Sequence, residues 1–209
     1  MPHSSVLIVE DSTIARMYDN SSEDGIDRAV VETPIGPVLV EAKKTTLLGI
    51  RFQNGKATEG VENLPSGPVD PHTLTVRYSS KHVENEVLSD AVAWIRAYFG
   101  GTETKKPSVV PVKDDFTSMC WLTAMQKVPF GQTMSYGELA AACGKTSAHS
   151  RAVGGAMKKN PYLLLVPCHR IVRSGGEIGE YSAGGPRIKK WLLHFEKAVQ
   201  EKRITHRGV

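Results

Sequence analysis

Cysteine is scarce: three in 209 residues, Cys120, Cys143 and Cys168, with none in the first 110. An odd number at wide spacings argues against a disulfide framework and predicts a reducing compartment, cytoplasm or nucleus. The chain holds no CxxC pair and no HExxH motif, so no metal and no cofactor is expected from its spacings. It has no run of about 18 apolar residues, the length that would suggest a membrane span. The opening stretch MPHSSVLIVEDSTIARMYDN lacks the basic start and long apolar segment of a secretory signal. What remains is an ordinary globular composition, 40% hydrophobic and 23% charged, enough for one large domain or two small ones.

The charge is unevenly placed. Residues 111–209 hold 15 Lys and Arg against 7 Asp and Glu, a balance of +8, while residues 1–110 carry −4. A basic C-terminal half points to an anionic partner, nucleic acid first, although a solvated basic face would look the same.

Residues 1–27 are polar and rich in Ser and Asp, and read as a tail. From Ala29 three short apolar segments, broken by Pro-Ile-Gly-Pro, Lys-Lys and Asn-Gly, predict an antiparallel meander. LSDAVAWIRAYFGG predicts a helix with Leu88, Val92, Ile95 and Phe99 on one face and Gly100-Gly101 as its stop. GTETKKPSVVPVKDD then contains a linker, which divides an N-terminal unit (28–110) from a C-terminal one (111–209). The second unit opens with a helix in DDFTSMCWLTAMQKV. In SYGELAAACG, Ser135 caps a helix with Glu138 three residues on, and Gly144 ends it. A further helix in SRAVGGAMKKN must stop before Pro161. Two short helices joined by a tight turn make a helix-turn-helix candidate.

Chemistry concentrates in LLLVPCHRIV, residues 163–172. The thiolate is the nucleophilic form of cysteine, so Cys168 needs a group that favours it. His169 is adjacent, but neighbours in extended chain point to opposite sides, so a water would have to bridge them. A third group should orient the imidazole. The last helix offers Glu196, at the edge of the stripe formed by Ile188, Trp191, Leu192, Phe195 and Val199; a solvated flanking charge is the competing reading.

VPCHRIV, SYGELAAACG, SRAVGGAMKKNP and KKWLLHFE, in this order, resemble the O6-alkylguanine-DNA alkyltransferases; WIRAYF extends the likeness loosely into the first half. The resemblance implies an α/β N-terminal domain, a ribonuclease H-like small antiparallel sheet plus helix, followed by a mostly α-helical domain with a helix-turn-helix. It implies DNA repair by irreversible transfer of the alkyl group to Cys168, with His169 acting as base through water and Glu196 orienting it. The partner implied is double-stranded DNA containing O6-alkylguanine, met in the minor groove by a protein expected to be a monomer in solution, with cooperative binding left open. Because the target atom lies inside the base stack, the nucleotide must be flipped out. Arg151 matches the arginine that takes its place in the stack, and Tyr136 the tyrosine that contacts the flipped base and rotates its phosphate.

By the same likeness Ala152, Gly154, Gly155 and Ala156 form a small-residue surface against DNA. Met157 walls the guanine pocket, and Asn160 ties the recognition helix to the active-site loop. Backbone groups near Cys168 and Ile171 receive the guanine amine, Tyr181 and Ser182 line the pocket near O6, and Arg170 anchors the loop and can pair with Glu196. Two features depart from the family pattern. EYSAGGPRIKKW carries an extra residue in the lid loop, which places Ala183 near the pocket. The zinc site that some relatives hold in the N-terminal half is ruled out by the lack of cysteine there. Two rival functions stay open at this stage: a binding protein that recognises alkylated DNA without transfer, and a thiol hydrolase built on a Cys-His pair.

Overall fold

The computed structural model describes residues 24–55, 57, 64–79, 85–102, 104–110 and 115–207. Residues 1–23 of the expected tail lie outside this set. Its last residues do not behave as a tail: strand β1 (Asp27–Thr33) already includes Asp27, and Asp24 pairs with Arg28 at 2.7 Å.

Buried apolar residues, consecutive in places, build the sheet. Val30 and Val31 of β1, Val38 and Val40 of β2 (Gly36–Lys43), and Leu47 and Ile50 of β3 (Thr46–Phe52) are all buried. The three strands pair antiparallel through turns at the positions the sequence marks. A fourth short strand, β4 (Val76–Tyr78), pairs antiparallel with β1 and completes the order β3-β2-β1-β4. It has only three residues and a polar sequence, so hydropathy gives no hint of it.

Helix α1 (Glu86–Phe99) lies on this sheet and buries Leu88, Val92, Ile95 and Phe99. Asn85 caps it, its side chain accepting from Leu88 N at 3.0 Å. Past Gly100 the chain turns at Gly101, whose φ of 69° suits a residue without a side chain.

The C-terminal unit is helical: α2 (Asp115–Lys127), α3 (Tyr136–Ala142), α4 (Ser150–Lys158) and the long α5 (Gly185–Arg207). Helices α3 and α4 pack on each other and on α2. A capping box starts α3, with Ser135 Oγ accepting from Glu138 N at 3.1 Å and Glu138 Oε2 from Ser135 N at 2.7 Å. Ser135→Ala is therefore expected to cost about 1 kcal/mol, read as a lower urea midpoint with an unchanged slope. A wild-type midpoint would show that tertiary packing, not the cap, holds the start of α3.

Two backbone features bring the units onto the site. Strands β5 (Met134–Ser135) and β6 (Ile171–Val172) pair in parallel, which joins the start of α3 to the chain just after Arg170. The free edge of β3 takes the segment before Cys168 as an added strand: Ile50 N donates to Pro161 O at 2.8 Å and Leu163 N to Ile50 O at 2.7 Å. The N-terminal sheet thus holds the root of the loop that carries Cys168.

Candidate active site

From that edge the chain turns twice. Leu165 N bonds to Leu163 O at 2.7 Å around Leu164, which has φ 66°. Cys168 N then bonds to Val166 O at 2.8 Å around Pro167, at φ −80° and ψ 55°. Both are three-residue γ-turns, the first of the rarer, strained hand. A left-handed φ at a buried leucine costs on the order of 1–3 kcal/mol, which the surrounding packing must offset.

Asn160 organises the same loop. Its Oδ1 accepts from Tyr162 N at 2.8 Å, while Nδ2 reaches Val166 O at 3.0 Å, Tyr162 O at 3.3 Å and Cys168 Sγ at 3.1 Å. Cys168–Arg170 form a 3-10 turn rather than the extended chain expected. Neighbouring side chains then splay by about 120° instead of facing opposite ways.

The loop is dry. Cys168 is 5% exposed, His169 0%, Arg170 3% and Glu196 0%. Glu196 is therefore no solvated flank; it is the centre of the network. Its Oε1 accepts from His169 Nε2 at 2.7 Å and Arg170 Nη2 at 2.9 Å, and its Oε2 from Arg170 Nε at 2.8 Å and Gly131 N at 3.0 Å. Arg170 Nη1 ends on Val128 O at 2.9 Å. Burial alone would raise the Glu196 pKa, but His169 and Arg170 outweigh it and hold the carboxyl far below the usual range. An ionised carboxylate only accepts, so Nε2 must carry the imidazole proton. Burial pushes the pKa of His169 down despite Glu196, so the ring rests neutral. Its lone pair then sits on Nδ1, which is buried and has no hydrogen-bond partner among the described residues.

Cys168 is likewise a resting thiol. Burial raises its pKa, against the Asn160 hydrogen bond, the charge of Lys189 and backbone N–H groups. Lys189 was not foreseen: it is 0% exposed, donates to Ile171 O at 2.5 Å and lies 5.6 Å from the centre of the Tyr136 ring. The Ile171 carbonyl thus keeps one lone pair for any ligand, and its side chain is fully buried, away from the cleft.

A cleft of about 500 Å³ opens beside the thiol, lined by Tyr136, Gly154, Met157, Cys168, Tyr181 and Ser182, with Lys158, Arg173, Gly179 and Glu180 completing it. The Tyr181 hydroxyl is buried without a partner among the described residues. Ala183, which the sequence places near the pocket, does not line this cleft; it packs against the core. The next residue, Gly184, has φ 131°, and a Cβ there would lie 2.8 Å from that of Ala57 in the N-terminal unit.

Beside the cleft, Arg151, Ala152 and Gly155 are exposed on α4 and Gly154 is half-buried. Ala156 departs from the small-residue surface, being buried with Val153 and Met157, because helical spacing turns it inward. Packing among the described residues does not require either glycine. There, a Cβ at Gly155 would meet nothing within 4 Å, and one at Gly154 only Tyr136 Cε1 at 3.9 Å.

Tyr98 also escaped sequence reasoning. It lies in α1 and donates its hydroxyl to Glu196 Oε1 at 2.6 Å. Signals for both missed residues were present: Lys189, Leu192 and Glu196 share one helical face, and a tyrosine inside an apolar stripe needs a polar partner.

This arrangement defines a class: a buried neutral thiol backed by an imidazole–carboxylate pair, opening beside a helix with a bare, exposed face. Comparison with known proteins narrows it. The model of the 6-O-methylguanine DNA methyltransferase ribonuclease-like domain matches residues 26–112, and that of the DNA binding domain of the same family matches residues 115–198. The chain is 37% identical over 177 residues to the mouse methylated-DNA–protein-cysteine methyltransferase, covering 80% of each. It is 34% identical over 171 residues to that of Methanosarcina acetivorans, covering 80% of this chain and 96% of the relative. Mycobacterium tuberculosis OGT, solved in complex with DNA, superposes with a TM-score of 0.62 at 29% identity, covering 81% of this chain and 92% of that one. The chain belongs to the 6-O-methylguanine DNA methyltransferase family.

Proposed function

We propose that this protein repairs duplex DNA by accepting the alkyl group of O6-alkylguanine on Cys168 Sγ, once per molecule. The observation that carries the reading is the buried lone pair of His169 Nδ1 beside a neutral thiol that opens onto a cleft. The proton passes from Sγ to Nδ1 through a bridging water. The sulfur electron pair attacks the alkyl carbon, the C–O6 bond breaks with its electrons going to guanine, and guanine takes up one proton. A thioether results, and no group in the site hydrolyses it. Glu196 holds the imidazole in the tautomer this needs and stabilises the imidazolium that forms.

The unpartnered Tyr181 hydroxyl is the donor for O6 as charge develops there, with Ser182 beside it and Met157 as the apolar wall. Helices α3 and α4 act as the helix-turn-helix. Two helix-interior glycines without a packing reason cost roughly 1 kcal/mol each, which close approach of DNA on this face would explain. Arg151, exposed at the start of α4, fills the stack where the flipped base was. Tyr136 stands where the α4 face meets the cleft, suited to turning the phosphate. Minor-groove reading is degenerate, so little sequence preference is expected.

Incubation with a duplex containing O6-methylguanine should add about one methyl per chain, on the peptide that holds Cys168, as the nucleophile assignment requires. Unchanged protein mass with retained DNA binding would favour recognition alone. Continued product release beyond one equivalent would make it a hydrolase.

A further inference from the structure

The carboxylate at the centre of the network takes one hydrogen bond from outside the helical unit. Tyr98, next to last in α1, shares Glu196 Oε1 with His169: its hydroxyl lies 2.6 Å from that oxygen, and His169 Nε2 lies 2.7 Å away. The tyrosine is 4% exposed. Its ring is clamped by Phe99, Phe130 and Phe195, with centroid distances of 5.1, 5.6 and 5.9 Å. It therefore cannot turn its hydroxyl elsewhere without disturbing the core. Burial and the adjacent carboxylate hold the phenol well above its ordinary pKa, so it remains a donor wherever the protein is folded.

We infer that Tyr98 is a positioning residue of the proton relay, its hydroxyl fixing how strongly Glu196 draws on the proton of His169. The inference rests on the reading of His169 as the base. A donor on Oε1 stabilises the carboxylate charge and reduces what that oxygen offers to Nε2–H. Removing the donor concentrates the charge on His169 and makes the ring more basic. The neutral fraction that can accept the thiol proton then falls at any given pH. The other groups facing the pair do not share this oxygen in the same way. Arg170 bridges both carboxylate oxygens, while Lys189 acts on His169 and Tyr181 on Glu196 without a hydrogen bond to Oε1. The N-terminal unit thereby contributes a side chain to the relay as well as the sheet edge that roots the loop.

The test is the single-turnover rate of methyl transfer to Cys168 from an O6-methylguanine duplex, followed from pH 4 to 9. Three proteins are compared: wild type, Tyr98→Phe and Tyr98→3-fluorotyrosine. The fluorinated ring keeps the shape and packing and donates more strongly, so it stays informative if the phenylalanine variant folds poorly. Tyr98→Phe should move the acid limb up by about half a pH unit or more, which slows transfer by roughly 3-fold or more on that limb and by less than about 2-fold at neutral pH. Tyr98→3-fluorotyrosine should move the limb the other way. Limbs that superimpose in all three proteins, or a uniform loss of rate with the limb unmoved, would overturn the role of Tyr98 and leave the relay standing. A wild-type profile with no acid limb would remove the relay itself, and the inference with it.

Discussion

Exchanging Glu196 for glutamine is expected to cost about 3–5 kcal/mol, the penalty for taking one partner out of a buried ion pair. Transfer should also slow by about 10²-fold or more, within the range general-base catalysis supplies. Arg170 would keep its bond to Val128 O but lose one of its two contacts to the carboxylate, since the amide nitrogen accepts nothing, and the other would no longer meet a charge. His169 would lose the charge that selects its tautomer. The pH dependence follows from two depressed pKa values. For Glu196 the stabilisation is complete above the unfolded carboxyl value of about 4.3 and is lost as pH falls toward the lower folded value. The lowered pKa of His169 acts in the same sense, removing stability as pH drops below about 6.5, where the unfolded ring protonates first. Urea titrations from pH 7 down should show wild-type stability falling slowly at first and steeply below about pH 4–5. In Glu196→Gln the steep part disappears. A variant as stable as wild type at pH 7, with the same acid slope, would mean that the network is not what it looks like.

Arg151→Ala should separate the two halves of the reaction. The side chain is exposed, so its removal is expected to change stability by less than about 0.5 kcal/mol. Extruding a base costs a few kcal/mol, so losing the group that replaces it should slow duplex repair by about 10²- to 10³-fold. Reaction with free O6-methylguanine base needs no extrusion and should proceed at the wild-type rate. Second-order rate constants on both substrates settle the matter: equal losses on both would place Arg151 in the chemistry or the fold rather than in flipping.

Most of the frame was legible because it rests on short-range rules. The stripe Leu88, Val92, Ile95 and Phe99, the Ser135 cap and the break before Pro161 each depend on residues within a few positions. Errors arose where long-range packing decides. Glu196 sits on the helical edge by sequence, yet Arg170 and His169 arrive from 26 and 27 residues away to enclose it. Tyr98 reaches it across 98 residues, a pairing no local pattern encodes. Lys189 was passed over because lysine is so rarely buried. The Cys-His pair was read as extended chain since nothing local announces two γ-turns, one of them at a leucine with a left-handed backbone.

The contact between Gly184 and Ala57 bears on how such proteins can be recombined. The two units meet separate family models, so a cut in the linker looks like a natural place to exchange them. Yet Gly184, on the helical side, lies so close to the sheet side that an added Cβ would come within 2.8 Å of that of Ala57. A chimera would set this glycine of one parent against the position-57 residue of the other. A parent with a side chain larger than alanine at position 57 would force the backbone apart at that seam. The fit of a hybrid there is therefore inherited from both parents, and a screen that varies the helical unit alone would hold one side of the contact fixed.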